Sequence, residues 1–314
     1  MDAHRHLVMV VLTAALLPAI AQGGEAEIAR FRKEYPAAGR RLEADLGRAR
    51  GTCLFTALNH EGRPASGTLK GDFVEDHGHA KLTVAIAEPK DSSRKPVAVI
   101  FCGGNETFFK LFRYPKSDEY VLAASGKTGE NLTDYLDAIG RFLNAPYSVC
   151  GTPLSKLIDD SRVRLVSADE SVVAGRKLFR IEYTQDVHSR QDRGVVVFDP
   201  GLGWAVVSSE LRTPIAPNVK FTTEVEYDPA KTGVPFPKTV VVTIDKTRKR
   251  CEFRDVTFEP TPMEEFTPEF YKLRGARKAG GSIWNHLPAF LGGVASLGFV
   301  GSALLMWVSR RPKA

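Results

Sequence analysis

The sequence contains no C-x-x-C pair, no H-E-x-x-H motif and no G-x-S-x-G elbow. The first absence leaves zinc-ribbon and thioredoxin-type chemistry without their spacing. The other two remove the usual signatures of a zinc protease and of an α/β-hydrolase serine. A concentrated basic stripe is lacking as well. Lys and Arg total 43 against 37 Asp and Glu, for a net charge of +6, yet the excess is spread along the chain. Its densest points are Arg248-Lys249-Arg250 and Arg274 to Lys278. Nucleic-acid binding needs a basic face with stacking rings, so no nucleic-acid partner is expected. Strands and helices do not alternate regularly, which excludes a doubly wound parallel sheet.

Motif fragments that are present do not complete a site. "AASGKTGEN" holds Gly-Lys-Thr, but a phosphate loop needs glycine where Val121 stands. "EDHGHAK" offers Asp76, His77 and His79, with His77 and His79 on one strand face. Two histidines without further ligands read as solvent-exposed loop residues. His60, His188 and His286 are isolated, and His188 has no recognisable nucleophile to serve. The expectation is therefore no catalytic residue, no metal and no cofactor. An exported enzyme of unrecognised class remains an alternative.

Hydrophobic residues make up 43% and charged residues 25% of 314 positions, enough for a core that folds without metals or bridges. The N-terminus, "MDAHRHLVMVVLTAALLPAIAQGG", has Arg5 before an apolar stretch from Leu7 to Ala21. Ala19-Ile20-Ala21 supplies a small-x-small cleavage site, so residues 1–21 read as a secretory signal peptide. At the other end, Leu287 to Val308 is 22 residues without a charge. At 1.5 Å per residue it can cross about 30 Å of hydrocarbon, and Trp284 and Trp307 flank it as interfacial rings do. It is expected to be a transmembrane helix acting as stop-transfer, after a linker at 273–286 and before a cytoplasmic tail at 309–314. Gly280-Gly281 ahead of it also faintly resembles a bacterial sorting signal. The expected place is the bacterial cell envelope, as a single-pass inner-membrane protein with its domain in the periplasm. Four exported cysteines, Cys53, Cys102, Cys150 and Cys251, allow two disulfides in three pairings, or buried free thiols.

Between the ends, two segments have helical spacing. "EAEIARFRKEYPAAGRRLEADLGRAR" aligns Ile28, Phe31, Tyr35, Leu42 and Leu46, with an interruption at Pro36. "ENLTDYLDAIGRFLN" aligns Leu132, Tyr135, Leu136, Ile139 and Leu143. A short helix is predicted in "TPLSKLIDD", with Thr152 as N-cap and Pro153 at its first position. Nearly all the rest alternates with period two between turn signals. The fold class is α+β, mainly antiparallel β: a strongly curved half-barrel of about 11–13 strands with helices on the concave side. Val225, Tyr227, Val240, Val242 and Ile244 are expected to share the apolar face. "GGNETFFKLFRYP" sets Phe108, Phe109, Leu111, Phe112 and Tyr114 on one strand. Core packing is the favoured account of them, and they are the candidate wall if the protein has an apolar ligand pocket.

The stretches "AGRKLFRIEYT", "FDPGLGWAVVSSEL" and "PMEEFTPEFYKL" resemble the LolA/LolB-like lipoprotein-carrier superfamily, in particular exported LolA-like proteins of planctomycete-type bacteria. The resemblance spans roughly residues 26–272. It implies a half-barrel whose concave face shelters acyl chains, and thus lipid or lipoprotein acyl chains as partners. The family's gating residues have no match here, and a C-terminal anchor departs from carriers that shuttle. The reading is a membrane-anchored binding protein. A protein-interaction or sensory module of the same fold, with an envelope protein as its partner, is the alternative.

Overall fold

The computed structural model describes residues 24–273 apart from 60, 66–67, 86–96, 105–106, 116, 118, 128–139, 188–189, 215–218 and 228–232. The expected signal peptide, linker, transmembrane helix and tail, and most of the second predicted helix, lie outside the described residues. Among the described residues, no helix is long and apolar enough to cross a membrane.

The chain starts with helix α1 (Glu25–Leu46), whose buried residues Phe31, Tyr35, Gly39, Leu42 and Leu46 recur every three or four positions. Glu25 and Glu27 sit in its first turn, where they favour the helix dipole. The interruption predicted at Pro36 does not occur, because the helix runs through it. An internal proline costs about 3 kcal/mol, and burying two aromatic rings offsets that: Phe31 and Tyr35 are each 1% exposed, against about 1.5–3 kcal/mol per buried large side chain.

Six strands follow: β1 (Arg48–Leu58), β2 (Leu69–Asp76), β3 (His79–Ala85), β4 (Ala98–Gly103), β5 (Thr107–Arg113) and β6 (Tyr120–Lys127). After a helical end at 140–143 come a 3-10 turn (Ala145–Tyr147), a short hairpin of β7 (Ser148–Val149) and β8 (Thr152–Pro153), and helix α2 (Leu154–Asp159). Here the predicted cap is corrected. Thr152 belongs to β8, Pro153 takes the N-cap position, and no side chain caps the helix. The hairpin uses residue 152 for pairing with Val149, which removes it from the helix end. Seven strands complete the fold: β9 (Val163–Val173), β10 (Arg176–Val187), β11 (Arg190–Asp199), β12 (Ala205–Thr213), β13 (Val219–Tyr227), β14 (Pro237–Ile244) and β15 (Thr247–Thr257).

Among the described residues, thirteen strands form one open sheet in the order β6-β5-β4-β3-β2-β1-β15-β14-β13-β12-β11-β10-β9. Every pairing is antiparallel. The chain leaves the centre of the sheet at β1, reaches one edge at β6, and resumes at the opposite edge with β9. It then returns strand by strand to β15, which pairs with β1. β6 and β9 lie at opposite edges, and of the chain between them the described residues 140–159 pack across a face of the sheet. Helix α1 crosses the same face. At 1.5 Å per residue its 22 residues reach about 33 Å, comparable to the width of eight strands at about 4.8 Å spacing.

Period-two alternation gives that inner face its apolar side chains. Under α1 lie Phe179, Ile181, Val196, Phe198 and Trp204, with Phe31 stacked on Tyr35 at 4.9 Å and tilted against Phe198 at 5.3 Å. Phe142, Leu143 and Ala145 cover the middle, against Cys53, Phe73, Val225, Val240 and Cys251. The outer face of the β9–β15 half carries ion pairs: Lys220–Glu210 at 2.8 Å and Arg248–Glu224 at 3.5 Å between strands, and Arg250–Glu252 at 2.9 Å along β15. The other half of the outer face is roofed by two 3-10 turns, Met263–Phe266 and Pro268–Tyr271. Phe266 and Tyr271 pack there on Val74, Ile100, Phe109 and Leu111, and Glu265 receives an ion pair from Lys81.

Candidate functional site

Where residues 140–151 cross β13 and β14, the packing leaves a cavity of about 60 Å³, bounded by Arg141, Ser148, Cys150, Phe221, Val242 and Ile244 among others. Local chain geometry builds its roof. Val149 pairs with Thr152, and the two residues between them, Cys150 and Gly151, have φ of 51° and 82°. Paired positive φ values are those of a type I′ hairpin turn. A side chain at Gly151 would come within 3.1 Å of Arg141 Cγ, so the glycine lets the Arg141 stem lie flat across the turn.

The floor comes from three strands in register. Phe221 opposes Ile244 and Thr223 opposes Val242, while Val242 opposes Lys249 on β15. Lys249 therefore points inward with Cys251 and Phe253, which belong to the inner core. Burial lowers its pKa, and the positive charge of Arg141 lowers it further. Burial pushes the Cys150 thiol up to about 12, with Arg141 pulling it down and Asp192 pushing it up. It is a neutral thiol at ordinary pH rather than a nucleophile. Ser148 is 2% exposed, and its Oγ has no hydrogen-bond partner.

Two other buried groups break the apolar face. Burial raises the Glu75 carboxyl to about 7. It lowers the Lys110 ammonium to about 8, and Lys110 Nζ sits 5.0 and 5.1 Å from the ring centres of Phe101 and Phe112.

The five candidate wall residues are divided by strand alternation. Phe109 and Leu111 lie on the outer face beneath the C-terminal turns. Phe112, with Tyr114 packed beside it, faces inward. Phe108 is buried and alternates with Phe109 onto the inner side. Residues of β5 do not line the cavity. The exposed-loop reading of Asp76 and His77 is half corrected. His77 occupies a tight turn with φ 46°, whereas Asp76 is 6% exposed and accepts a 3.0 Å hydrogen bond from the Thr261 amide. It ties the outer-face roof to β2. Among the described residues, no three His, Cys, Asp or Glu side chains converge as a metal site would require.

The cysteines are free thiols. Cys53 and Cys251 touch on the inner face of β1 and β15, Cys102 is on the outer side with Phe109, and Cys150 is at the cavity. Sequence reasoning missed Arg141, Ser148 and Lys249. For Lys249 a signal existed: alternation in "RKRCEFR" sets it in phase with Cys251 and Phe253, between two arginines that face out.

No family model matches the chain, and no curated protein matches it. Solved structures to which it is similar include the following three. One is a LolA superfamily protein from Nitrosomonas europaea, at 11% identity and a TM-score of 0.41, covering 74% of this chain and 98% of that one. Another is LprF from Mycobacterium bovis, at 13% identity and a TM-score of 0.28, covering 72% and 95%. The third is the Pseudomonas aeruginosa MucA/MucB complex, at 11% identity and a TM-score of 0.22, covering 72% and 100%.

Proposed function

We propose that the protein binds the acyl part of a lipid, lipopeptide or lipoprotein on the inner face of the sheet, acting as a trough, and that it is a binding protein rather than an enzyme. In this reading residues 287–308 hold it in the inner membrane with its domain on the periplasmic side. A permanent tether makes it a stationary receptor or handover point instead of a shuttle. The observation that carries the reading is the way the apolar face is covered. Crossing segments one layer thick roof it, and they leave a cavity against β13 and β14. A second packed sheet would have no such removable part. The described roof side chains, Phe142, Leu143 and Ala145, fill most of the space beneath them, so an acyl chain gains entry by displacing them.

Native mass spectrometry of the full-length protein, extracted from its membrane in a neutral detergent, tests this. Acyl-bearing adducts that survive detergent exchange are expected. A uniformly empty protein that co-purifies with one stoichiometric envelope protein would end the lipid reading and favour the interaction module. Orientation is checked separately by adding protease to spheroplasts, which is expected to remove the domain.

A further inference from the structure

The basic residues of β15 divide by face. Outward-facing Arg248 and Arg250, on either side of Lys249, each have a glutamate: Glu224 at 3.5 Å and Glu252 at 2.9 Å. Lys249 faces inward and, among the described residues, has no carboxylate partner. Arg141, close enough to depress the Lys249 pKa, has none either. Asp192 is engaged by Arg190 at 3.3 Å. Two cations so placed repel each other and lose hydration, an arrangement that costs free energy unless an anion joins them. The buried, unpartnered Ser148 hydroxyl shares the cavity wall with Arg141 and with Val242, the ladder partner of Lys249, and adds a donor with nothing to donate to.

We propose that Arg141, Lys249 and Ser148 form an oxyanion seat that takes the carboxylate or phosphate headgroup of an acyl-bearing lipid. The inference rests on the lipid-binding reading and gives it a ligand class. The cavity has room for a small polar group: its 60 Å³ exceeds the roughly 10–15 Å³ that one water molecule needs. Phe221, Val242 and Ile244 supply the apolar wall along which the chain departs. Arg141 is a fork suited to two oxygens, Lys249 a point charge.

The test is calorimetric titration of the full-length protein in neutral-detergent micelles with matched pairs: oleate against oleyl alcohol, and lysophosphatidic acid against monooleoylglycerol. The anions are expected to bind about 10-fold or more tighter than their neutral partners. Arg141→Gln and Lys249→Gln should each abolish most of that preference without weakening the neutral ligands, and Arg141→Lys should keep part of it. Ser148→Ala removes a donor without touching charge and should cost the anions a few-fold, which keeps the test informative where a charge variant fails to fold. Inorganic phosphate alone should not compete at the same concentration; if it does, the seat stands for a free anion and the lipid is overturned. Equal binding of charged and neutral partners overturns the seat and leaves the lipid-binding reading intact. Absence of binding by every probe overturns both.

Discussion

Gly194 and Tyr183 show how closely the inner face is packed at single positions. They oppose each other across β10 and β11, and a side chain at 194 would come within 2.1 Å of Tyr183 Cζ and 2.2 Å of its Cε1. Gly194→Ala is therefore expected to destabilise by about 1–3 kcal/mol, as overpacking does, measured by denaturant unfolding. Tyr183→Phe should not rescue it, because the ring carbons make the clash. Glu75 makes a second prediction, through pH. Burial raises its folded-state pKa from 4.5 to about 7. Below 4.5 the group is neutral in both states, and its contribution to stability is intact. As pH rises through 7 the folded protein must hold a buried charge, and that stability is lost. The loss amounts to roughly 3 kcal/mol. Glu75→Gln removes the charge, so its stability advantage over the natural protein should grow between pH 4.5 and 8. A difference that stays constant over that range would refute this account of Glu75.

At the scale of elements, the strand–turn–strand "FDPGLGWAVV" explains why one short phrase is recognisable. Asp199 accepts from Arg176 Nε at 2.9 Å and from the Gly201 amide at 2.8 Å, which caps the turn at Pro200–Leu202. Gly203 and Trp204 then take positive φ of 68° and 67°, a reversal that drops the indole onto Phe31 and Phe179, 5.8 and 5.0 Å away between ring centres. The turn thus aims the tryptophan at α1. Asp199→Ala should cost about 2 kcal/mol, from a lost cap and a lost ion pair discounted for a half-exposed Arg176. Asp199→Asn, which keeps an acceptor, should cost less. Chemical denaturation of both variants checks the order. The helix α1 teaches the opposite lesson. Pro36 is a local breaker, and the sequence pattern reads it as one, but Phe31 and Tyr35 on the preceding turn are held by strands some 150 residues away, so tertiary burial outweighs local propensity.

For the whole molecule, the pairing of β1 with β15 joins two meanders that would otherwise be separate sheets. The pairing extends from Arg50 opposite Thr257 to Leu58 opposite Arg248, and Cys53, Phe73, Val240 and Cys251 form one core across it. Unfolding is expected to be a single cooperative event. Hydrogen exchange in β2–β4 and in β10–β12 should report the same global opening free energy; separate values would mean that the meanders unfold independently.

How much of this was legible in the chain depends on the range of the interactions involved. Alternation and turn residues act over two to four positions, so they were enough for the antiparallel class, the strand number and the inward set Val225, Val240 and Val242. They also place Lys249 in phase with Cys251. Alternation could not say that the two faces of β5 serve different roofs, with Phe109 under the C-terminal turns and Phe112 under the inner cover, since those roofs come from segments distant in sequence. Nor could it bring Arg141 and Ser148 to one cavity and set Lys249 beside it, across the ladder from Val242. Their meeting follows from the way residues 140–159 pack across the sheet, and that packing is set by which apolar faces bury together across the whole chain. The sequence by itself determined the sheet and the sidedness of its residues, because those depend on local geometry. The tertiary structure alone decided where unpartnered charge meets an apolar wall, because that is a matter of long-range packing.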